Sequence, residues 1–375
     1  MIRSDHMQTE FGKRKWHDPS VIIDARFAAC RTYAMSKLNK DREWKIFTTC
    51  PVSAMAEPKT CLRRLRDVSH WSEEAGCEGI LVFSDNRQLD PWLVSQVIIA
   101  ETERLCPMVA VQPAYMHPYS VAKMITSIGF IHGRRVYLNM VAGGFKNDLV
   151  ALDDRTPHDE RYSRLVEYTT VIQKLLRTGE PVSYDGHYYK IDNLKLTPDL
   201  AAELQPGVLV SGSSEAGANA AQQLRAIAVE YPKPAAEYTS SKRPATPKGI
   251  RIGLIVRDDE SEAWSIAHNR YPRDRKGELT RQLATKVSDS NWHRDLSAMS
   301  ESGPEEESPY WLVPFQNYKA MCPYLVGSYD RVAGELAHYL HCGYTTFILD
   351  EPPNADEMQH IAVAFERAHE QLLAA

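Results

Sequence analysis

The chain reads as an α/β protein folded into a (β/α)8 TIM barrel with insertions after strands 4 and 7. Eight short β-type runs alternate with helical stretches from Trp44 onward, which predicts βα units and parallel strand pairing. An open doubly wound sheet accommodates five or six such strands, whereas eight in one chain favour a closed barrel. The length fits either one large domain or two ordinary ones: 375 residues, 43% of them hydrophobic.

The strand candidates, in order, are Lys45–Thr49, Gly79–Phe83, Met108–Val111, Val136–Val141, Val208–Val210, Arg225–Val229, Arg251–Val256 and Thr345–Leu349. The helix candidates are Thr60–Glu74, Trp92–Arg104, Ser120–Phe130, Glu160–Arg177, Ala216–Leu224, Glu260–Asn269, Tyr329–Leu340 and Ala355–Leu372. Two connections break the regular spacing. Gly179–Leu204 carries Pro181, the turn Asp185-Gly186-His187 and the aromatic pair Tyr188-Tyr189, and reads as an inserted hairpin. Tyr271–Pro323 contains the acidic tract Glu301–Glu307 and the segment Tyr310–Phe315. An insertion of that length after a barrel strand reads as a lid over the catalytic face, or, for the acidic tract alone, as a surface loop.

Residues 1–43 are mixed and highly charged, and are expected to form an N-terminal appendage, partly disordered or packed on a partner. Met1–Met7 is possible vector sequence, Met35 an alternative initiator, and Ile22–Ala34 a possible helix. Residues 44–375 then make up the barrel. A net charge of −5 gives no basic surface for nucleic acid or an anionic membrane. No run approaches the roughly 20 apolar residues needed to span a bilayer. Seven scattered cysteines without CxxC spacing suit reduced thiols and a cytoplasmic setting. The histidines show neither HxxxH nor HExxH spacing, so no metal site is expected.

Function in a barrel sits at the C-terminal ends of the strands. Here these ends are polar and rich in small residues: Ser84-Asp85-Asn86, Gln112-Pro113, Ala142-Gly143-Gly144, Ser211-Gly212-Ser213-Ser214 and Asp350-Glu351 among them. Carboxylates at acid/base spacing and a GxSxG elbow are both missing. In the turn after Val210, Gly212 allows a tight bend and Ser213 or Ser214 can cap the next helix. Free amides there suit an anion such as phosphate, though an ordinary capped βα connection reads the same way. With so little catalytic equipment of its own, the protein points to a cofactor that brings the chemistry. The strand ending at Ala142-Gly143-Gly144 could pass a flat ring close to the backbone.

An ordered set of motifs makes this specific: Asn139-Met140-Val141-Ala142-Gly143, His158-Asp159-Glu160-Arg161-Tyr162, Gly186–Leu196, Ser211–Glu215, Arg251–Arg257 with Asp259–Trp264, and Leu325-Val326-Gly327 with Gly343–Leu349. Over Trp44 to Leu373 the chain resembles the bacterial luciferase-like flavin monooxygenases, and within them the alkanesulfonate monooxygenase branch. The resemblance implies a reduced FMN co-substrate, supplied by a separate NAD(P)H:flavin reductase, and oxygen addition at flavin C4a. The resulting peroxyflavin would oxidise a small organic or carrier-bound substrate. It also implies a homodimer or homotetramer.

By the same resemblance, Tyr162, Ser213 and Ser214 hold the FMN phosphate, with His158 in the cofactor site beside them. Asn139, Ala142, Ser84 and Asp85 line the ring or ribityl chain. Tyr162 could instead be a packing residue at a helix start, and Ser84 and Asp85 could serve structure alone. Arg251 is the catalytic candidate, binding an anion, steadying the oxygenated flavin or forming a structural ion pair. Several positions depart from the branch: Gln88 stands for a cysteine, Gly253 for a histidine, Pro352 for a tyrosine, and Tyr318 or Lys319 for a loop arginine. Burying a sulfonate requires cationic and hydrogen-bonding partners, so these losses argue against simple alkanesulfonates. The rival readings are a deazaflavin-dependent hydride-transfer enzyme on the same barrel and a flavin-binding protein without turnover.

Overall fold

The computed structural model describes residues 42, 44–54, 56–143, 146–177, 179–238, 246–287, 296–297 and 308–374. The expected appendage with its helix over 22–34, and the acidic tract 301–307, lie outside the described residues.

Eight parallel strands close on themselves. They are β1 (Lys45–Thr49), β2 (Gly79–Val82), β3 (Cys106–Val111), β4 (Tyr137–Val141), β7 (Gly207–Ser211), β8 (Ile227–Glu230), β9 (Lys248–Arg257) and β12 (Tyr344–Leu349). Each pairs with the next in that order, and β12 returns to β1 through Lys45↔Thr346 and Phe47↔Ile348. Phe47, Leu81, Met108, Tyr137, Leu209, Val229 and Ile348 fill the barrel as one buried cluster, which makes the interior a packed core rather than a pore. At its N-terminal end Lys45 donates to Glu78 at 3.1 Å and to the Tyr137 hydroxyl at 2.6 Å, and Tyr137 donates to Glu78. The Tyr137 ring lies on Gly207, where a Cβ would come within 2.3 Å of it.

Helices α1 (Pro58–Glu74), α2 (Pro91–Glu101) and α3 (Pro118–His132) each begin on a proline, one or two residues before the sequence pattern indicates. Proline fits the first helical position because the N–H it lacks would be unpaired there. Asp90 caps α2 by accepting the N–H groups of Trp92 and Leu93, each at 3.0 Å. This helix ends at Glu101 rather than Arg104, because Thr102 is extended and Glu73 of α1 accepts the N–H groups of Glu103, Arg104 and Leu105. Arg225, expected to open a strand, is instead the left-handed C-cap of α6 (Glu215–Leu224), at φ 51°. The remaining outer helices are α5 (His158–Arg177), α7 (Glu260–Arg270), α10 (Tyr329–His341) and α11 (Ala355–Ala374).

The first insertion is an antiparallel hairpin, β5 (Val182–Asp185) with β6 (Lys190–Leu194). Glu167 of α5 accepts the N–H groups of His187, Tyr188 and Tyr189 at 2.8–3.3 Å, which fixes the hairpin tip to the barrel wall. The second insertion carries α8 (Arg275–Val287), β10 (Tyr310–Trp311) and the short α9 (Val313–Gln316), none of them evident in the sequence pattern. It returns through β11 (Tyr324–Ser328), a further parallel strand beyond the eight of the ring. The cause is the length of β9: Lys248–Ile250 pair with β8, while Gly253–Arg257 extend beyond it and pair with β11. A short α4 (Lys146–Ala151) precedes α5. Among the described residues no helix is long and apolar enough to cross a membrane.

Candidate active site

The C-terminal ends of the strands surround a cavity of about 490 Å³. Ser84, Asp85, Asn139, Ala142, His158, Tyr162, Ser213, Ser214 and Arg251, all singled out from sequence, line it. So do Gln112, Ser211, Tyr231, Asp350 and the segment Tyr318–Met321, which the sequence reading did not select as site residues. Gln112 and Asp350 were visible as strand ends. Tyr231 follows the end of β8 and was open to the same strand-end rule, Tyr318 and Lys319 stand where the resemblance puts a loop arginine, and Ala320 and Met321 reach the cavity only through tertiary packing.

One lobe is built by the turn between β7 and α6. Ser214 is the N-cap of α6 and accepts the Gly217 N–H at 3.1 Å. The Tyr162 hydroxyl lies 3.5 Å from the Ser211 carbonyl and bonds Ser214; burial pushes the phenol pKa up despite that bond. A Cβ on Gly212 would stand 2.1 Å from the Tyr162 oxygen, so a side chain there would have to displace the phenol. Ser211 donates to Asn139 Oδ1 at 2.7 Å, joining this lobe to the end of β4. Hydroxyls, first-turn amides and a backbone without a Cβ are what a phosphate monoester needs at a helix N-terminus. The donor set therefore fits that part of FMN.

A second wall comes from β2 and β3. Buried Gln112 donates from Nε2 to the Ser84 carbonyl at 2.6 Å, and Asp85 accepts the Arg87 N–H at 2.7 Å. Gln88 accepts from the Ser53 N–H at 2.8 Å and the Ser53 hydroxyl at 2.9 Å, so it ties the loop after β1 to the loop after β2. The Pro352 carbonyl accepts from Arg64 at 2.7 Å. Of the positions that depart from the alkanesulfonate pattern, Gln88 thus has a structural use through its side chain, whereas the Pro352 bond is main-chain and independent of the residue there.

The floor holds Arg251, 92% buried. Its guanidinium lies 5.1 Å over the Phe83 ring and 3.8 Å from Asp350, and bonds Tyr231. Its Nε is buried without a hydrogen-bond partner. Burial alone lowers the Arg251 pKa, but Tyr231, Cys322 and Asp350 outweigh it and raise the pKa, keeping the group charged. Overhead, Asn317 accepts the Asp274 N–H at 3.0 Å and donates to the Pro272 carbonyl at 2.6 Å. These bonds hold the two arms of the long insertion together and set Tyr318–Met321 against the cavity. Among the described residues no cluster of His, Cys, Asp or Glu could hold a metal.

The family model for luciferase-like monooxygenases matches residues 43–346. This chain belongs to that family. It is accordingly an oxidoreductase of the luciferase-like monooxygenase kind. It is 33% identical over 301 residues to the 4-(gamma-L-glutamylamino)butanoyl-[BtrI acyl-carrier protein] monooxygenase BtrO of Niallia circulans, covering 79% of this chain and 88% of BtrO. Among solved structures it resembles a riboflavin lyase, RcaE, with modified FMN and riboflavin (TM-score 0.69, 14% identity, 89% of this chain and 96% of that one). It also resembles an F420-dependent secondary alcohol dehydrogenase (TM-score 0.59, 14% identity, 87% of this chain and 99% of that one). At such identities the likeness is one of fold, shared by flavin and deazaflavin proteins.

Proposed function

We propose that this luciferase-like enzyme uses reduced FMN and oxygen to oxidise an acyl substrate tethered to a carrier protein. The overall reaction is substrate plus O2 plus reduced FMN, giving oxygenated substrate, oxidised FMN and water. When bound, reduced FMN supplies the activation of dioxygen, which the family resemblance assigns to the flavin C4a position. The observation that carries the cofactor reading is the Tyr162–Ser213–Ser214 lobe opening on the same cavity as the Asn139–Ala142 wall. The likeness to a carrier-protein monooxygenase supports a tethered substrate. The altered positions Gln88, Gly253 and Pro352 speak against a simple alkanesulfonate.

In this reading Ser213, Ser214 and Tyr162 bind the phosphate, with His158 against the Tyr162 ring at 5.3 Å between centroids. Asn139, Ala142, Ser84 and Asp85 orient the ribityl chain and ring. Arg251 places a fixed positive charge at the cavity floor, where developing negative charge is stabilised. Tyr318–Met321 shield the site from water. A separate NAD(P)H:flavin reductase supplies the reduced flavin, and the enzyme works as a homodimer or homotetramer in the cytoplasm.

An anaerobic titration with photoreduced FMN, followed by stopped-flow mixing with oxygen, tests the proposal. Binding, together with flavin reoxidation much slower than in free solution, is expected. Tyr162→Phe and Ser214→Ala should each weaken binding by about fivefold or more, the worth of one hydrogen bond to an anion. No binding of reduced FMN, with tight binding of a reduced deazaflavin instead, would sink the reading in favour of hydride transfer.

A further inference from the structure

Tyr324 opens β11 directly opposite Gly253 of β9, and its ring covers the bare backbone there. A Cβ on Gly253 would lie 2.3–2.5 Å from three carbons of that ring, so the phenol occupies the space a side chain at 253 would need. Its hydroxyl donates to Asp350 Oδ2 at 2.7 Å, and the other oxygen of Asp350 faces Arg251 at 3.8 Å. The Tyr271 hydroxyl lies 2.7 Å from that of Tyr324. Tyr271 and Tyr324 are the residues on either side of the 272–323 insertion, so its base is closed by a hydroxyl chain that ends on the carboxylate facing Arg251.

We infer that Tyr324 is a positioning residue: acting through Asp350, it sets where Arg251 stands at the cavity floor. Arg251 is not locked by a bidentate carboxylate, since Asp350 is 3.8 Å away and Nε has no partner. Tyr231 and the Phe83 ring hold part of the guanidinium, and the Asp350 carboxylate facing it at 3.8 Å biases where its Nη2 end stands. Asp350 is in turn held by a buried phenol, a charge-assisted hydrogen bond in a site of low dielectric. A phenylalanine would pack against Gly253 equally well, so what the hydroxyl adds is the hold on Asp350.

This inference rests on the reading that the cavity binds reduced FMN, and two measurements separate its failure from the failure of that reading. The first uses flavin-free protein: the rate at which phenylglyoxal modifies Arg251, followed by peptide mass spectrometry. Tyr324→Phe and Asp350→Asn should each speed modification by about fivefold or more, with the double variant no faster than either alone, as expected for residues acting in series. The second is the rate at which oxygen reoxidises bound reduced FMN, which should change in Tyr324→Phe while its FMN affinity stays within about twofold. An unchanged Arg251 modification rate in Tyr324→Phe, or additive effects in the double variant, overturns the inference. So does a parallel fall in Tm and FMN affinity with no specific change at Arg251, which would mark a packing role. Failure of the wild type to bind reduced FMN would defeat the functional reading, and the modification arm would still decide this one.

Discussion

At the scale of single residues, the site depends on places where an atom is absent. Gly212 passes so near Tyr162 that a Cβ would stand 2.1 Å from the phenol oxygen. Gly212→Ala is expected to push Tyr162 out of the phosphate lobe and weaken FMN binding by about tenfold or more, about the effect of two lost hydrogen bonds. Tyr162 is also packed in the buried core, so thermal stability should fall as well; equal affinity in a flavin titration would refute the phosphate assignment. The glycine was legible in sequence as a tight turn, but its partner was not, since 50 residues separate Tyr162 from Gly212. Gly253 is similar. In sequence it is only a missing histidine, and the covering ring comes from a strand opened 71 residues later.

At the scale of elements, the connections are held by carboxylates that accept backbone N–H groups. Glu73, on α1, takes three of them from the segment before β3. Burial raises its pKa, but these bonds outweigh burial and bring it below the ordinary carboxylate value. Its folded pKa is thus lower than its unfolded one. The stabilisation is fully present above the unfolded value and is lost as pH falls through the folded value. Urea unfolding of the wild type should weaken as pH falls below the ordinary carboxylate value of 4.5, partly through this group, and Glu73→Gln should flatten that slope. An identical pH dependence in the variant would show that the contacts contribute nothing. The helices themselves were readable from periodicity and caps. Their N-termini lay slightly earlier than read, because Pro58, Pro91 and Pro118 each occupy a first-turn position.

At the scale of the whole molecule, closure of the barrel on its last strands is braced by charge. Glu357 of α11, 2% exposed, pairs with Arg257 at the end of β9 and with Arg270 of α7 at 3.1 Å. Glu357→Ala leaves buried Arg257 without that carboxylate, and should cost about 3–5 kcal/mol in urea unfolding. A loss under about 1 kcal/mol would mean that the arginines find solvent or other partners at little cost. The brace could not be read from sequence, since its three members come from a strand and two helices up to 100 residues apart.

The eight barrel strands, the helices between them to within a few residues, the hairpin insertion and the polar strand ends are all legible in the chain's local patterns. Period, caps and turn chemistry are local properties, and each is written in neighbouring residues. The sequence also held the ordered motifs that carry the family resemblance. How the rest of the site is assembled depends on contacts between distant elements. The eleventh strand exists because β9 outruns β8 and offers unpaired backbone to whatever returns from the insertion. Arg251, Asp350, Tyr324 and Tyr271 meet because barrel closure brings β9, β11 and β12 side by side, and no local pattern encodes that adjacency.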